Sequence, residues 1–120
     1  MTLQECYAAM GGNYEEVLGR LRSDRLIQKF VLKFMDDGSY QLLLDSMASQ
    51  NYEDAFRAAH TIKGVCQNLG LTRLLNSSGQ LSEALRHGYT PEADSLAEQV
   101  GRDYQETVGA IRAFQASAGI

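Results

Sequence analysis

The stretch from Asn51 to Gly70, NYEDAFRAAHTIKGVCQNLG, decides how this chain folds. Asn51 is a side-chain cap for a helix start. Asp54 falls at the third helical position, where a carboxylate suits the positive end of the helix dipole. Ala55, Ala58, Ile62, Val65 and Leu69 then alternate steps of three and four residues, the spacing of an apolar seam that packs on other helices. Gly70 ends the helix. With His60 set at zero and about 100° per residue, Lys63 falls at about 300°, Gly64 at about 40°, Gln67 at about 340° and Phe56 at about 320°. Ala58, Ile62, Val65 and Leu69 fall at about 140–200°, on the opposite side. The seam therefore turns His60 outward, in one stripe with Lys63, Gly64 and Gln67.

The same reading extends in both directions. Leu3, Cys6, Tyr7 and Met10 mark a short amphipathic helix that Gly11-Gly12-Asn13 ends. Tyr14, Val17, Leu18 and Leu21 mark a second, and Ser23 or Asp24 caps the next start. An apolar stripe then runs from Leu26 to Met47, broken near Asp36-Asp37-Gly38, so residues 24–49 form one bent helix or two short ones. Leu71, Leu74, Ser78, Leu81 and Leu85 carry the seam of the helix after Gly70, which ends at His87-Gly88. Thr90-Pro91 opens the last helix, with its seam at Ala93, Leu96, Val100, Tyr104, Thr107, Ile111 and Phe114. Short connections pack successive helices antiparallel. The expected fold is all-α: an up-down antiparallel four-helix bundle over residues 24–117, with two additional short N-terminal helices over residues 1–22, in a single domain of 120 residues.

Composition narrows the function classes. The net charge of -4 argues against a nucleic-acid binder. The longest aliphatic run, Leu42-Leu43-Leu44, is far short of a membrane span, and the polar, periodic opening segment leads to the expectation of no signal peptide. Two cysteines in 120 residues suit a reducing cytosol better than a disulfide framework, so the chain is expected to be cytoplasmic. Cys66 reads as a small core residue.

Taken singly, the outward residues mean little. A lone helix histidine is ordinarily a plain surface residue, and exposed lysines are routine. Glycine inside a helix costs about 1 kcal/mol relative to alanine. Together they are more selective, because a glycine beside the histidine removes a side chain where a partner would need to approach. No Asp or Glu lies from Ala55 to Ser82, while Arg57, Lys63 and Arg73 do. That predicts a neutral-to-basic surface around His60, suited to an imidazole that gains negative charge.

The run Ala59-His60-Thr61-Ile62-Lys63-Gly64, followed by Gln67-Asn68-Leu69-Gly70, resembles the signature of histidine-containing phosphotransfer (HPt) domains of two-component phosphorelays. The resemblance covers about residues 24–117. It implies that His60 is the phosphoacceptor, taking a phosphoryl group from a receiver-domain aspartate and passing it to another. It implies that Lys63 offsets charge on the phosphoryl oxygens, that Gly64 admits the receiver, and that Gln67 hydrogen-bonds the phosphoryl group or the partner. Phe56 and Arg57 are expected to help dock the receiver, although Phe56 also suits packing against the N-terminal helices. Some relatives place a glutamine on the following helix near the phosphohistidine. The matching offset here is Ser82, with Arg86 one turn later, and both are expected as partner contacts. Val65 stands where relatives often carry a smaller residue.

The implied protein is a free-standing monomeric phosphocarrier rather than an enzyme acting alone, with origin as part of a larger sensor kinase left open. No cofactor or metal is expected in this chain, since the magnesium of such a relay belongs to the receiver. Expected partners are response-regulator receiver domains and a hybrid sensor histidine kinase, with no nucleic acid and no membrane. Three other readings fit less well or compete. A histidine kinase dimerisation helix carries an acid directly after its histidine, where this chain has Thr61. A metal-binding bundle lacks a Glu-x-x-His pair, and His60 and His87 lie on different helices. A non-catalytic adaptor bundle that binds signalling partners without phosphotransfer is the serious rival, since fold alone does not imply function.

Overall fold

Glycines and capping side chains cut the chain into seven helices: α1 (Leu3–Met10), α2 (Tyr14–Leu21), α3 (Asp24–Phe34), α4 (Ser39–Ala48), α5 (Tyr52–Leu69), α6 (Thr72–Leu85) and α7 (Glu92–Ala118). The computed structural model describes every residue from Met1 to Ile120, and no strand forms. Local chemistry explains the boundaries. Thr2 and Glu5 cap α1 reciprocally, the Glu5 N–H donating to Thr2 Oγ1 at 3.1 Å and the Thr2 N–H to Glu5 Oε1 at 2.9 Å. Asn13 and Ser23 accept from the first turns of α2 and α3, and Asn51 from that of α5. Gly11 and Gly70 close α1 and α5 in the left-handed region, both at φ 66°.

The stripe over residues 24–49 is two helices. The N–H groups of Asp36 and Asp37 fold back onto the carbonyls of Lys33 and Phe34. The Asp37 carboxylate then accepts from the Ser39 N–H at 2.8 Å and starts α4. Asp37 is thus a helix-starting side chain.

Helices α4 to α7 form an antiparallel four-helix bundle. Phe56, early in α5, lies beside Arg86 at the end of α6, while Lys63, late in α5, packs on Gly79 in the middle of α6, and Arg73, early in α6, pairs with Glu106, past the middle of α7. Tyr40 of α4 stacks on Tyr104 of α7 with ring centroids 4.0 Å apart, closing the ring of helices. Helix α1 runs along α7, where the Cys6 thiol donates to the Ala110 carbonyl at 3.6 Å. The core draws on Leu43, Ile62, Leu74, Leu81, Val100 and Ile111, joined by Tyr7 and Met10 from α1.

The N-terminal segment also finishes α5. A helix leaves its last four carbonyls without partners. Here the Arg20 guanidinium donates to the carbonyls of Gln67 at 2.9 Å and Asn68 at 2.7 Å. The Tyr7 hydroxyl donates to the Leu69 carbonyl at 2.7 Å, and the Asn13 N–H to the Gly70 carbonyl at 2.8 Å. Four consecutive carbonyls at the end of the central helix are therefore satisfied from residues 7–20.

The buried face of α5 comprises Ala55, Ala58, Ala59, Ile62, Cys66 and Leu69. Val65, expected in the seam, is only half-buried, while Ala59 and Cys66 are buried. The stripe is turned toward α6 because α5 is covered by α4 on one side and by α6 on the other. His60 remains outside it.

Candidate functional site

His60 stands exposed midway along α5. Its imidazole lies nearly parallel to the Phe56 ring one turn earlier, with centroids 5.9 Å apart and planes inclined by 22°. Nearby side-chain hydrogen bonds run from Arg57 to Glu53 and Asp54 and from Arg86 to Glu83; none engages the His60 ring. Both ring nitrogens are therefore open to an incoming group.

Lys63 is placed by α6. Its Cγ, Cδ and Cε atoms rest over Gly79, where an added Cβ would stand 3.7 Å from Lys63 Cδ. The stem is packed and the ammonium is left toward water, the usual compromise for a long cationic side chain. Lys63 takes part in none of the chain's ion pairs. Gly64 is exposed, and no atom lies within 4 Å of where its Cβ would be. Nothing inside the chain requires glycine there. Gln67, one turn further, is exposed and shares an open hollow with Lys63, Asn76, Gly79, Gln80 and Glu83.

The expected neutral-to-basic surface lies at its neutral end, because most of the arginines are paired. Arg57 is held by Glu53 at 2.7 Å and Asp54 at 3.4 Å, Arg73 by Glu106, and Arg86 by Glu83 at 3.0 Å. The stretch from Ala55 to Ser82 has no acid of its own, but Glu53 and Asp54 just before it and Glu106 on α7 pair with its arginines. Lys63 is the one unpaired cation of that stretch.

The second-helix contact is also corrected. Ser82 is only 2% exposed and lies in the α6 stripe that faces the core with Leu74, Ser78, Leu81 and Leu85. It cannot touch a partner. The exposed residues of α6 beside Lys63 are Asn76, Gln80 and Glu83, which line the hollow. The seam through Ser78 and Leu81 already implied this, because a residue four after Ser78 shares its face. Arg86 is exposed at the end of α6, and its guanidinium carbon lies 5.6 Å from the Phe56 ring centroid. Phe56 is half-buried between these neighbours, so His60, Phe56 and Arg86 form one surface group, whereas Arg57 is turned to its own acids.

The largest cavity, about 670 Å³, lies elsewhere, between α2, α3 and α5, and is lined by Leu21, Phe30, Phe34, Val65 and Leu69 together with charged rim residues. It contains none of the stripe residues. No three His, Cys, Asp or Glu side chains are gathered closely enough to hold a metal. No helix is long and apolar enough to cross a membrane.

A helical bundle that offers an unbonded surface imidazole beside a free ammonium suits carrying a small anionic group, not enclosing a substrate. The chain belongs to the Hpt domain family: that family's sequence model, described as Hpt domain, matches residues 15–114 of the 120. It is thus a phosphotransfer domain of two-component signalling. Such domains are phosphocarrier modules rather than classical enzymes, and they work with the receiver domains and kinases of phosphorelays. Comparison with curated proteins and with solved structures gives no match.

Proposed function

We propose that His60 carries the phosphoryl group between receiver-domain aspartates. The observation that carries this reading is an exposed imidazole with both nitrogens unengaged, one turn from a glycine with open space above it, on a chain of this family. The lone pair of a neutral ring nitrogen attacks the phosphorus of the receiver's aspartyl phosphate. The bond from phosphorus to the aspartyl oxygen breaks, and the carboxylate leaves with the electron pair. The other ring nitrogen carries the proton of the resulting phosphoimidazolium and exchanges it with water. Transfer to the next receiver reverses these steps. In phosphoryl transfer the protein contributes positioning and charge stabilisation, and little covalent chemistry of its own.

The supporting roles follow from placement. The Lys63 ammonium, steered by its packed stem, offsets the charge on the phosphoryl oxygens. Gly64 leaves room for the receiver's active-site loops. Gln67 and Gln80 supply amide donors from α5 and α6 at the edge of the same hollow, and Gln80 takes the part first expected of Ser82. The acidic magnesium pocket belongs to the receiver, and this chain contributes no cofactor. The carrier acts as a monomer in the cytoplasm, fed by a hybrid sensor kinase or its receiver.

The test is a transfer assay. A panel of magnesium-loaded receiver domains is phosphorylated with a small donor and mixed with the wild type or with His60→Gln. An acid-labile, base-stable label on the wild type and none on the variant is the expected result. Absence of label from every receiver, with the small donor also failing to label the wild type, would support the adaptor bundle instead.

A further inference from the structure

We propose that Phe56 is a positioning residue for the His60 imidazole and that Arg86 holds Phe56 in place. This rests on His60 being the phosphoacceptor. A reactive histidine is ordinarily oriented by a hydrogen bond to its second ring nitrogen, which also fixes its tautomer. His60 has no such bond. An exposed imidazole with nothing to hold it samples its staggered rotamers freely, and only some of them aim a ring nitrogen away from the helix. The one side chain that stacks on it is Phe56, with centroids 5.9 Å apart and planes inclined by 22°. That separation and tilt lie within the range of favourable offset aromatic pairs.

Phe56 is itself held from a second helix. The Arg86 guanidinium lies over the ring at 5.6 Å, within cation–π range. Its Nε donates to Glu83 Oε2 at 3.0 Å, which fixes the guanidinium without covering the ring. The antiparallel register of α5 and α6 brings the end of α6 level with the turn before His60. The chain Glu83–Arg86–Phe56–His60 therefore runs from one helix to the other and ends on the imidazole. It orients the ring by its face and leaves both nitrogens free. A carrier needs that arrangement, since one nitrogen takes the phosphoryl group while the other handles the proton.

Arg86 also engages Glu83, which lines the hollow beside Lys63. Held by Arg86, the Glu83 carboxylate does not pair with the Lys63 ammonium. Losing Arg86 therefore acts twice: it frees the Phe56 ring, and it releases an acid that competes for Lys63.

The experiment separates positioning from docking by using two phosphodonors. Phosphoramidate reaches His60 without a protein interface; a phosphorylated receiver must dock. Phe56→Leu keeps an apolar side chain but loses the flat ring, and Phe56→Tyr keeps the ring. Phe56→Leu and Arg86→Ala are expected to slow labelling by phosphoramidate about three- to tenfold, with Phe56→Tyr and Arg86→Lys close to wild type. In the wild type, proton NMR is expected to show cross-relaxation between the Phe56 ring and the His60 ring protons. That signal should weaken in Arg86→Ala while the melting curve keeps its shape. Unchanged phosphoramidate rates in Phe56→Leu and Arg86→Ala, on a wild type that labels, would overturn the positioning role and leave the phosphocarrier reading standing. So would a loss confined to receiver-driven transfer, which would make Phe56 a docking contact only. A wild type that neither donor labels would remove the phosphocarrier reading, and this inference with it.

Discussion

Gly64 offers a perturbation whose effects on stability and on transfer have opposite signs. It sits mid-helix, exposed, with no atom within 4 Å of an added Cβ. Replacing it with alanine therefore removes the helix penalty of glycine, about 1 kcal/mol, without creating a clash. Unfolding entropy of about 2.1 cal/mol/K per residue gives about 250 cal/mol/K for a chain of 120 residues. A gain of about 1 kcal/mol then raises Tm by about 4 °C. Gly64→Gln should keep most of that gain, but its side chain occupies the space one turn from His60. Receiver-driven labelling should fall about 10- to 100-fold, since displacements of about 1 Å cost that much in positioned reactions. Labelling by phosphoramidate should stay within about twofold, because the small donor needs no room above Gly64. Thermal unfolding by circular dichroism and the two-donor labelling assay read the two effects on the same samples. A lower Tm for Gly64→Ala would mean that the glycine serves packing inside the chain. Undiminished receiver transfer in Gly64→Gln would mean that no partner approaches there. Either result would refute the reasoning.

Two further expectations concern the scaffold. Arg20→Ala removes the donors to the Gln67 and Asn68 carbonyls and should cost about 1 kcal/mol, lowering Tm by about 4 °C, with His60 labelling by phosphoramidate unchanged; an unaltered Tm would show that water replaces the guanidinium at no cost. Alkaline pH should destabilise the fold. Burial pushes the Cys66 thiol up to about 12 from 9.0, with Asp37 adding to it, and pushes Cys6 up to about 11. Burial also raises Tyr7 above its ordinary 10.0. The unfolded chain therefore loses protons that the folded chain keeps, and stability present below pH 9 is lost as pH rises through the folded values. Urea midpoints measured from pH 8 to 11 should fall, more gently in Cys66→Ala, whereas a flat profile would contradict the burial of both thiols.

The central helix was legible because its signals are local. Asn51 and Gly70 bound it, and the spacing of Ala55, Ala58, Ile62 and Leu69 places His60 outside. The break between α3 and α4 was visible as Asp36-Asp37-Gly38, but its form was not, since it depends on Asp37 accepting from Ser39. The misplaced features share a cause. Ser82 was placed by an offset carried over from relatives, although the spacing through Ser78 puts it on the buried face. Arg57 and Arg73 read as free charges because a sequence displays charges without their partners. No local pattern marks Gly79 and Gln80, since Gly79 matters for the Lys63 stem lying over it and Gln80 for the hollow it shares with Lys63. The stacking of Phe56 between His60 and Arg86 likewise needs the register of two antiparallel helices, which no single helix encodes.

The carbonyls at the end of α5 bear on the order in which the molecule assembles. Their donors come from residues 7–20, while the carbonyls themselves belong to residues 67–70. The same early segment lies along α7, with Cys6 bonded to Ala110. On a ribosome, α1 and α2 emerge before the helices that they bind and find those partners only after α5 and α7 have followed. Closing loops of this length is slow compared with forming the α5–α6 hairpin, whose helices are joined at Gly70-Leu71. The N-terminal helices are therefore expected to settle after the α5–α6 hairpin. Until they do, only water meets the last carbonyls of the helix that bears His60.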